Sequence, residues 1–236
     1  MTGAALSLSE LVVSYGGITA VHGVSFEVPE AACVGVLGAN GAGKTSLLRA
    51  AGGLEPVRGG RVRLNGTDVT GKDAAARARA GLGHVLEGRR VFPGLSVRDN
   101  LALGATAVRA RSSKYTVDGV LALLPELAPH LGKVAGALSG GQQQMLAIGR
   151  ALVGGPRVLL MDEPTNGLSP ALVNRVEEII VRITEEGTAV LLVEQRLEVA
   201  KAVCSRVHIL QRGRLVGSST PADPDLDRDL QDAYLS

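Results

Sequence analysis

Two rhythms of apolar residues divide the chain. Loose alternation over residues 6–13 and 24–28 predicts two half-buried strands, the second ending at Pro29. Three other stretches are continuously apolar: 32–37, 158–161 and 188–193. Runs of that length predict strands covered on both faces, the usual state of a parallel sheet. Shorter strands are expected at 61–64, before an Asn65-Gly66 turn, and at 83–86. A closing hairpin is expected from 207–210 and 214–216 about Arg212-Gly213. Helices are predicted at 46–51, 73–80, 142–153, 171–186 (amphipathic and stopped by Gly187) and 196–204. From 87 to 136 the pattern changes to helices, near 96–104 and 117–124, broken by glycine and proline. That stretch predicts a helical subdomain (87–136) inserted into a single domain of 1–236 whose core is 1–86 and 137–236. The tail from Ser218 is rich in Pro and Asp. Helical spacing of Leu226, Leu230, Ala233 and Tyr234 then predicts a surface helix.

Composition narrows the function classes. Of 236 residues 45% are apolar and the net charge is +2, so nucleic acid is not an expected partner. Aromatic residues make up 2% and Trp is absent, leaving Val, Leu, Ile and Ala to build the core. No apolar run reaches the ~20 residues of a membrane-spanning helix. The first ten residues lack the segments of a signal peptide, so a cytoplasmic location is expected. Cys33 and Cys204 fall in a predicted strand and a predicted helix and read as small buried hydrophobes. His22, His84, His130 and His208 show no metal-ligand spacing. Gly81-x-Gly83 has Leu86 where a dinucleotide fingerprint needs its third glycine, which dismisses that reading.

The strongest chemical signal is Gly38-Ala39-Asn40-Gly41-Ala42-Gly43-Lys44-Thr45, a full match to G-x-x-x-x-G-K-[ST]. It lies between a predicted strand and a helix opened by Ser46. Glycines let the backbone wrap phosphates, so that successive N–H groups and the helix N-terminus point at them. The expected ligand is a nucleoside triphosphate with Mg²⁺: Lys44 meets the phosphates and Thr45 supplies a hydroxyl to the metal. A second signal is the apolar run that ends in Asp162-Glu163, two carboxylates at the C-terminal end of a buried strand. Asp162 can hold Mg²⁺ through its water shell, and Glu163 can position or deprotonate a water. Tyr15, beside Gly16-Gly17, offers either a stacking platform for a base or a half-buried turn residue, and the residues alone leave the two even. Ser139 before Gly140-Gly141-Gln142 is by itself only a helix cap and anion site.

In that order the P-loop, Leu138-Ser139-Gly140-Gly141-Gln142 and the run to Asp162-Glu163 resemble the ATP-binding cassette (ABC) ATPases over nearly the whole chain. The resemblance implies an α/β P-loop NTPase core with a mixed β-sheet, an N-terminal antiparallel β subdomain and a helical subdomain insertion. It also implies that Ser139 to Gln142 reach the γ-phosphate of ATP on a second cassette, in a head-to-tail dimer of paralogues or of identical chains. Tyr15 falls at the family's adenine-stacking position and Gln195 at the place of its switch histidine. Glu163, Gln195 and Lys44 are then the catalytic candidates, and Thr45, Glu87 and Asp162 the metal site. A narrower likeness is carried by Glu87-Gly88-Arg89-Arg90-Val91-Phe92, Pro93-Gly94-Leu95-Ser96-Val97, Gln142 to Arg150 and Val193-Glu194-Gln195. These are similar to the ATPase subunits of bacterial branched-chain amino-acid importers, and related amide and urea importers share much of the pattern. The likeness implies membrane permease subunits, reached through the 87–92 loop, an external binding protein, and a peripheral place on the inner face of the cell membrane. Three positions depart from the general family pattern: Glu87 stands for a Gln, Gln195 for a His and Ser169 for an Asp. The other readings are a cassette in a soluble machine and a degenerate cassette that binds ATP without turnover.

Overall fold

In this computed structural model residues 3–106 and 115–235 are described. Strands β1 (Ala4–Tyr15) and β2 (Ile18–Pro29) form one long antiparallel hairpin, extended by β4 (Gly59–Leu64) and β5 (Thr67–Asp68) into a four-stranded sheet, order β2-β1-β4-β5. The hairpin is longer than alternation alone predicts. Gly16 and Gly17 both take positive φ (50° and 94°), the backbone that a tight two-residue turn needs, so the ladder runs up to Tyr15 and Ile18. Irregular pairing between Leu8 and Val12 obscures the period in the sequence.

The second sheet has six strands in the order β10-β9-β3-β8-β7-β6. Here β3 (Cys33–Leu37), β6 (Leu82–Val85), β7 (Val158–Asp162), β8 (Ala189–Glu194) and β9 (Arg206–Gln211) are parallel, with β10 (Arg214–Ser219) antiparallel at one edge. Every residue of β3, β7 and β8 is buried, as their continuous apolar runs require. Their side chains still alternate between two covers. Val158 and Leu160 face a cluster with helix α1 (Lys44–Ala51) and the antiparallel sheet, whereas Leu159 and Met161 face a cluster built with other helices.

That second cover includes α5 (Gly140–Leu152), α6 (Pro170–Glu185) and α7 (Leu197–Val203). Val173, Val176, Ile179, Ile180 and Ile183 set the buried stripe of α6 at helical spacing, each worth roughly 1.5–3 kcal/mol of burial. Pro170 occupies the first turn, where its missing N–H costs nothing. Helix α2 (Ala74–Arg79) is capped by Asp73 and follows the antiparallel sheet. Among the described residues from 87 to 137 lie α3 (Val97–Thr106), α4 (Val117–Leu123) and two short 3-10 turns, and their apolar side chains join those of α5. The chain ends in α8 (Leu226–Leu235), whose Leu226 and Leu230 are buried, so its spacing reflects a docked helix. Among the described residues no helix is long and apolar enough to cross a membrane.

Candidate functional site

Register brings the chemistry to one edge. Leu37 of β3 pairs with Glu194 of β8, and Asp162 of β7 pairs with Val193, so the three strands end level with one another. The residues that follow, Gly38, Gln195 and Glu163, therefore leave the sheet side by side at its carboxyl end. Strand β3 is central, with β8 on one flank and β9 on the other, which makes this the point where the strand order reverses.

The loop 38–45 owes its shape to close approaches. A Cβ at Gly38 would stand 2.2 Å from the Leu210 carbonyl oxygen, and one at Gly43 2.5 Å from the Ala20 carbonyl oxygen, with φ at Gly43 near 103°. Neither position has room for a side chain. Lys44, buried at the start of α1, curls back: its Nζ donates to the Gly38 oxygen at 2.7 Å and the Ala39 oxygen at 3.2 Å. The same ammonium lies 3.4 Å from Glu163 Oε1. Asn40, Gly41, Gly43, Lys44, Thr45 and Ser46 line a cavity of about 200 Å³ together with Ala20, Glu87 and Glu163.

Glu163 has a left-handed backbone, φ 45°, uncommon and strained for a residue with a long side chain. Neighbours hold it there. Its N–H donates to the Val193 oxygen at 2.9 Å, and its carboxylate accepts Gln195 Nε2 at 2.8 Å and Asn166 Nδ2 at 3.4 Å. Gln195 Nε2 also donates to Asn40 Oδ1 at 2.6 Å, tying the P-loop to the end of β8. Behind this pair lies a carboxylate to which the sequence reading assigns no role of its own. Glu194 is buried and accepts from the Thr165 N–H at 3.2 Å, the Thr165 hydroxyl at 2.6 Å and the Gln195 N–H at 3.1 Å. Three donors compensate its burial and lock the 163–166 loop to β8. The position of Glu194, an acid closing an apolar run as Asp162 does, is the one sequence signal that could have marked it. Thr165, Asn166 and the cavity wall at Ala20 carry no such signal.

Asp162 is also buried, and Thr45 Oγ1 donates to its Oδ1 at 3.3 Å. Burial raises its pKa to about 6, with Glu87 and Glu163 pushing the same way against the Thr45 hydrogen bond and Lys44. Glu87 itself is exposed and borders both the 200 Å³ cavity and a larger cleft of about 880 Å³. Among the described residues no group of three or more His, Cys, Asp or Glu side chains could hold a metal ion unaided. A hydroxyl, a buried carboxylate whose ionisation is disfavoured and a second carboxylate nearby are nonetheless hard oxygen donors. They suit a divalent ion whose other ligands come from phosphates and water.

The remaining expected site residues lie elsewhere. Ser139 to Gln142 do not line the cavity. The helix there begins at Gly140, two residues before the predicted start at Gln142, because Ser139 and Gln142 form a capping box: Ser139 N–H donates to Gln142 Oε1 at 2.9 Å and Gln142 N–H to Ser139 Oγ at 3.3 Å. The Arg89 guanidinium packs over Gly140, where a Cβ would meet its Nη1 at 2.6 Å. Tyr15 ends β1 with its ring exposed and does not line the cavity. Cys33 and Cys204 are buried free thiols with sulfurs 3.6 Å apart. Of the histidines, His208 is buried against Phe26, His130 bonds Gln142 Nε2 at 2.8 Å, and burial lowers His84 and His208 to about 4.

The sequence profile of the ABC transporter family matches residues 21–166. The chain is 40% identical to the high-affinity branched-chain amino acid transport ATP-binding protein BraG of Pseudomonas aeruginosa, over 98% of this chain and 99% of that protein. It is 34% identical to the glutamate/aspartate import ATP-binding protein GltL of Escherichia coli K12, over 94% and 93%. A solved nucleotide-free ATP-binding cassette from an ABC transporter superposes with a TM-score of 0.86 at 23% identity, covering 98% of this chain and 96% of that one, a likeness of fold.

Proposed function

This chain belongs to the ABC transporter family, and we propose that it is the subunit that binds and hydrolyses ATP to drive an importer of branched-chain amino acids. The observation that carries the hydrolytic part is the hold on Glu163. A carboxylate fixed by Lys44 and Gln195 at the mouth of the P-loop is placed to orient and deprotonate a water beside the terminal phosphate. Entering phosphates compete for the Lys44 ammonium, now held by Gly38, Ala39 and Glu163. That exchange links ATP binding to the freedom of the catalytic carboxylate. Gln195 keeps a neutral amide at every physiological pH and here spends its N–H donors on Asn40 and Glu163. It therefore senses the nucleotide through the P-loop asparagine and the base, by geometry alone.

Thr45, Asp162 and Glu87 would hold Mg²⁺, which supplies charge neutralisation at the phosphates when bound. Ser139, Gly140, Gly141 and Gln142 present a helix N-terminus that a second cassette's ATP completes, and Tyr15 stacks on the adenine. The 880 Å³ cleft suits a permease segment: it is bordered by Leu54, Phe92 and Leu103, all partly exposed, and by Arg90 and Arg150. Arg150 stacks on Phe92 at 5.0 Å and donates to the Arg90 carbonyl, so the 87–92 loop is braced at this cleft. Docking there would hold the chain at the inner membrane face.

The test is reconstituted transport. With the cognate permease in liposomes and the binding protein loaded with leucine, isoleucine or valine, uptake should require ATP and disappear with Glu163→Gln. Uptake of an amide or urea instead would overturn the solute, and ATP hydrolysis without any permease partner would favour a soluble machine.

A further inference from the structure

We infer that Tyr234, on the C-terminal helix, is a positioning residue for the hydrolytic site, acting through Gln195. The inference rests on the roles proposed above for Gln195 and Glu163. The Tyr234 hydroxyl donates to the backbone oxygen of Gln195 at 3.1 Å. From the same residue the side-chain amide reaches Glu163 at 2.8 Å and Asn40 at 2.6 Å, and the N–H is bound by Glu194. The residue between base and P-loop is thus held at its side chain, its N–H and its carbonyl, and the last hold comes from a helix that sequence pattern marks as peripheral.

Helix α8 is anchored firmly enough to serve as a brace. Leu226 and Leu230 are buried, Lys201 Nζ of α7 pairs with Asp227 at 2.5 Å, and Gln211 Nε2 donates to the Ala233 oxygen at 3.1 Å. Residues 195 and 196 join β8 to α7. Tyr234 fixes the start of that junction, and the Lys201–Asp227 pair fixes the helix that follows. Tyr234 sits in a negative surround: after burial, Glu163, Glu194 and Glu198 raise its pKa. The phenol therefore stays protonated and remains a donor.

The hydroxyl can be removed without removing the ring. In the transporter complex purified through this chain, Tyr234→Phe should lower kcat for ATP about three- to ten-fold, the effect of one lost hydrogen bond. KM for ATP and the melting temperature should stay unchanged. In a Gln195→Ala background the same change should have no further effect, because the amide it positions is gone. Wild-type kcat in Tyr234→Phe overturns the inference, as does an equal proportional loss in both backgrounds, or a kcat loss matched by a fall in melting temperature. Glu163→Gln separates the two readings. If Glu163→Gln still hydrolyses ATP, the assignment of the base fails. If it does not, and Tyr234→Phe equals wild type, only the role of Tyr234 fails.

Discussion

The P-loop edge of the sheet and the N-terminus of α5 are the two places proposed to meet phosphate, and they are wired in opposite ways. At the P-loop, one ammonium stands among the carboxylates of Asp162, Glu163 and Glu87, and its donors are engaged before any ligand arrives. At α5 the capping box satisfies the Ser139 and Gln142 N–H groups from within, and the charge packed against that end is the Arg89 guanidinium. The first site holds charge that a nucleotide and a cation must rearrange. The second offers a capped helix dipole and the Arg89 guanidinium to an anion brought from outside. Such complementary ends suit two cassettes meeting head to tail, each supplying what the other lacks.

The largest break in this comparison is expected at Glu163. Glu163→Gln can keep its amide oxygen toward Gln195 while losing the weaker Asn166 contact, and it removes the proposed base, so steady-state hydrolysis should fall about 10²–10⁴-fold while ATP still binds. Nucleotide binding by equilibrium dialysis beside a phosphate-release assay reads both. Hydrolysis near the wild-type rate would remove Glu163 from that role.

Ser139→Ala probes the other end. It should lower hydrolysis about 10²-fold by loss of a phosphate donor, while costing only about 1 kcal/mol of stability as a lost helix cap. Chemical denaturation sets the second figure and turnover the first. A stability loss alone would leave Ser139 a cap and nothing more.

Gln195→Ala should cost about tenfold in turnover, since Glu163 keeps Lys44 and Asn166 as partners. Gln195→His should retain activity and gain an inflection in its pH–rate profile between about pH 6 and 7, the range of an imidazole. A flat profile would show that the histidine does not titrate in contact with the site.

A different kind of effect, on stability, falls at Asp162. Its folded pKa of about 6 lies above its unfolded value, so the folded state binds the extra proton and loses stability as pH rises from about 4 to 6. The penalty is complete above that window, on the order of 1–3 kcal/mol by linkage. Asp162→Asn should therefore raise the melting temperature of the nucleotide-free chain at pH 7.5, with little change at pH 4, while abolishing the Mg²⁺ dependence of ATP binding. Equal melting temperatures at pH 7.5 would mean that the carboxylate is better solvated than its burial implies.

Much of this molecule was determined by local pattern. The runs at 32–37, 158–161 and 188–193 had to become strands covered on both faces, and the glycines between β3 and α1 mark a backbone that turns too tightly for side chains at Gly38 and Gly43. The pairing of Asp162 with Val193 and of Leu37 with Glu194 was decided by the tertiary structure alone, because parallel register joins residues that no local period relates. For the same reason no local pattern shows that Thr165 and the Gln195 N–H donate to Glu194, or that Tyr234 of the C-terminal helix reaches Gln195. The hairpin to Tyr15 and Ile18 and the start of α5 at Gly140 were missed at their edges. Bulges break the alternation of the one, and two glycines carry no apolar period in the other. Hydrophobic rhythm is a property of neighbours along the chain, so it reports which face is buried. Hydrogen bonds between distant segments are settled only when packing fixes the distance between them.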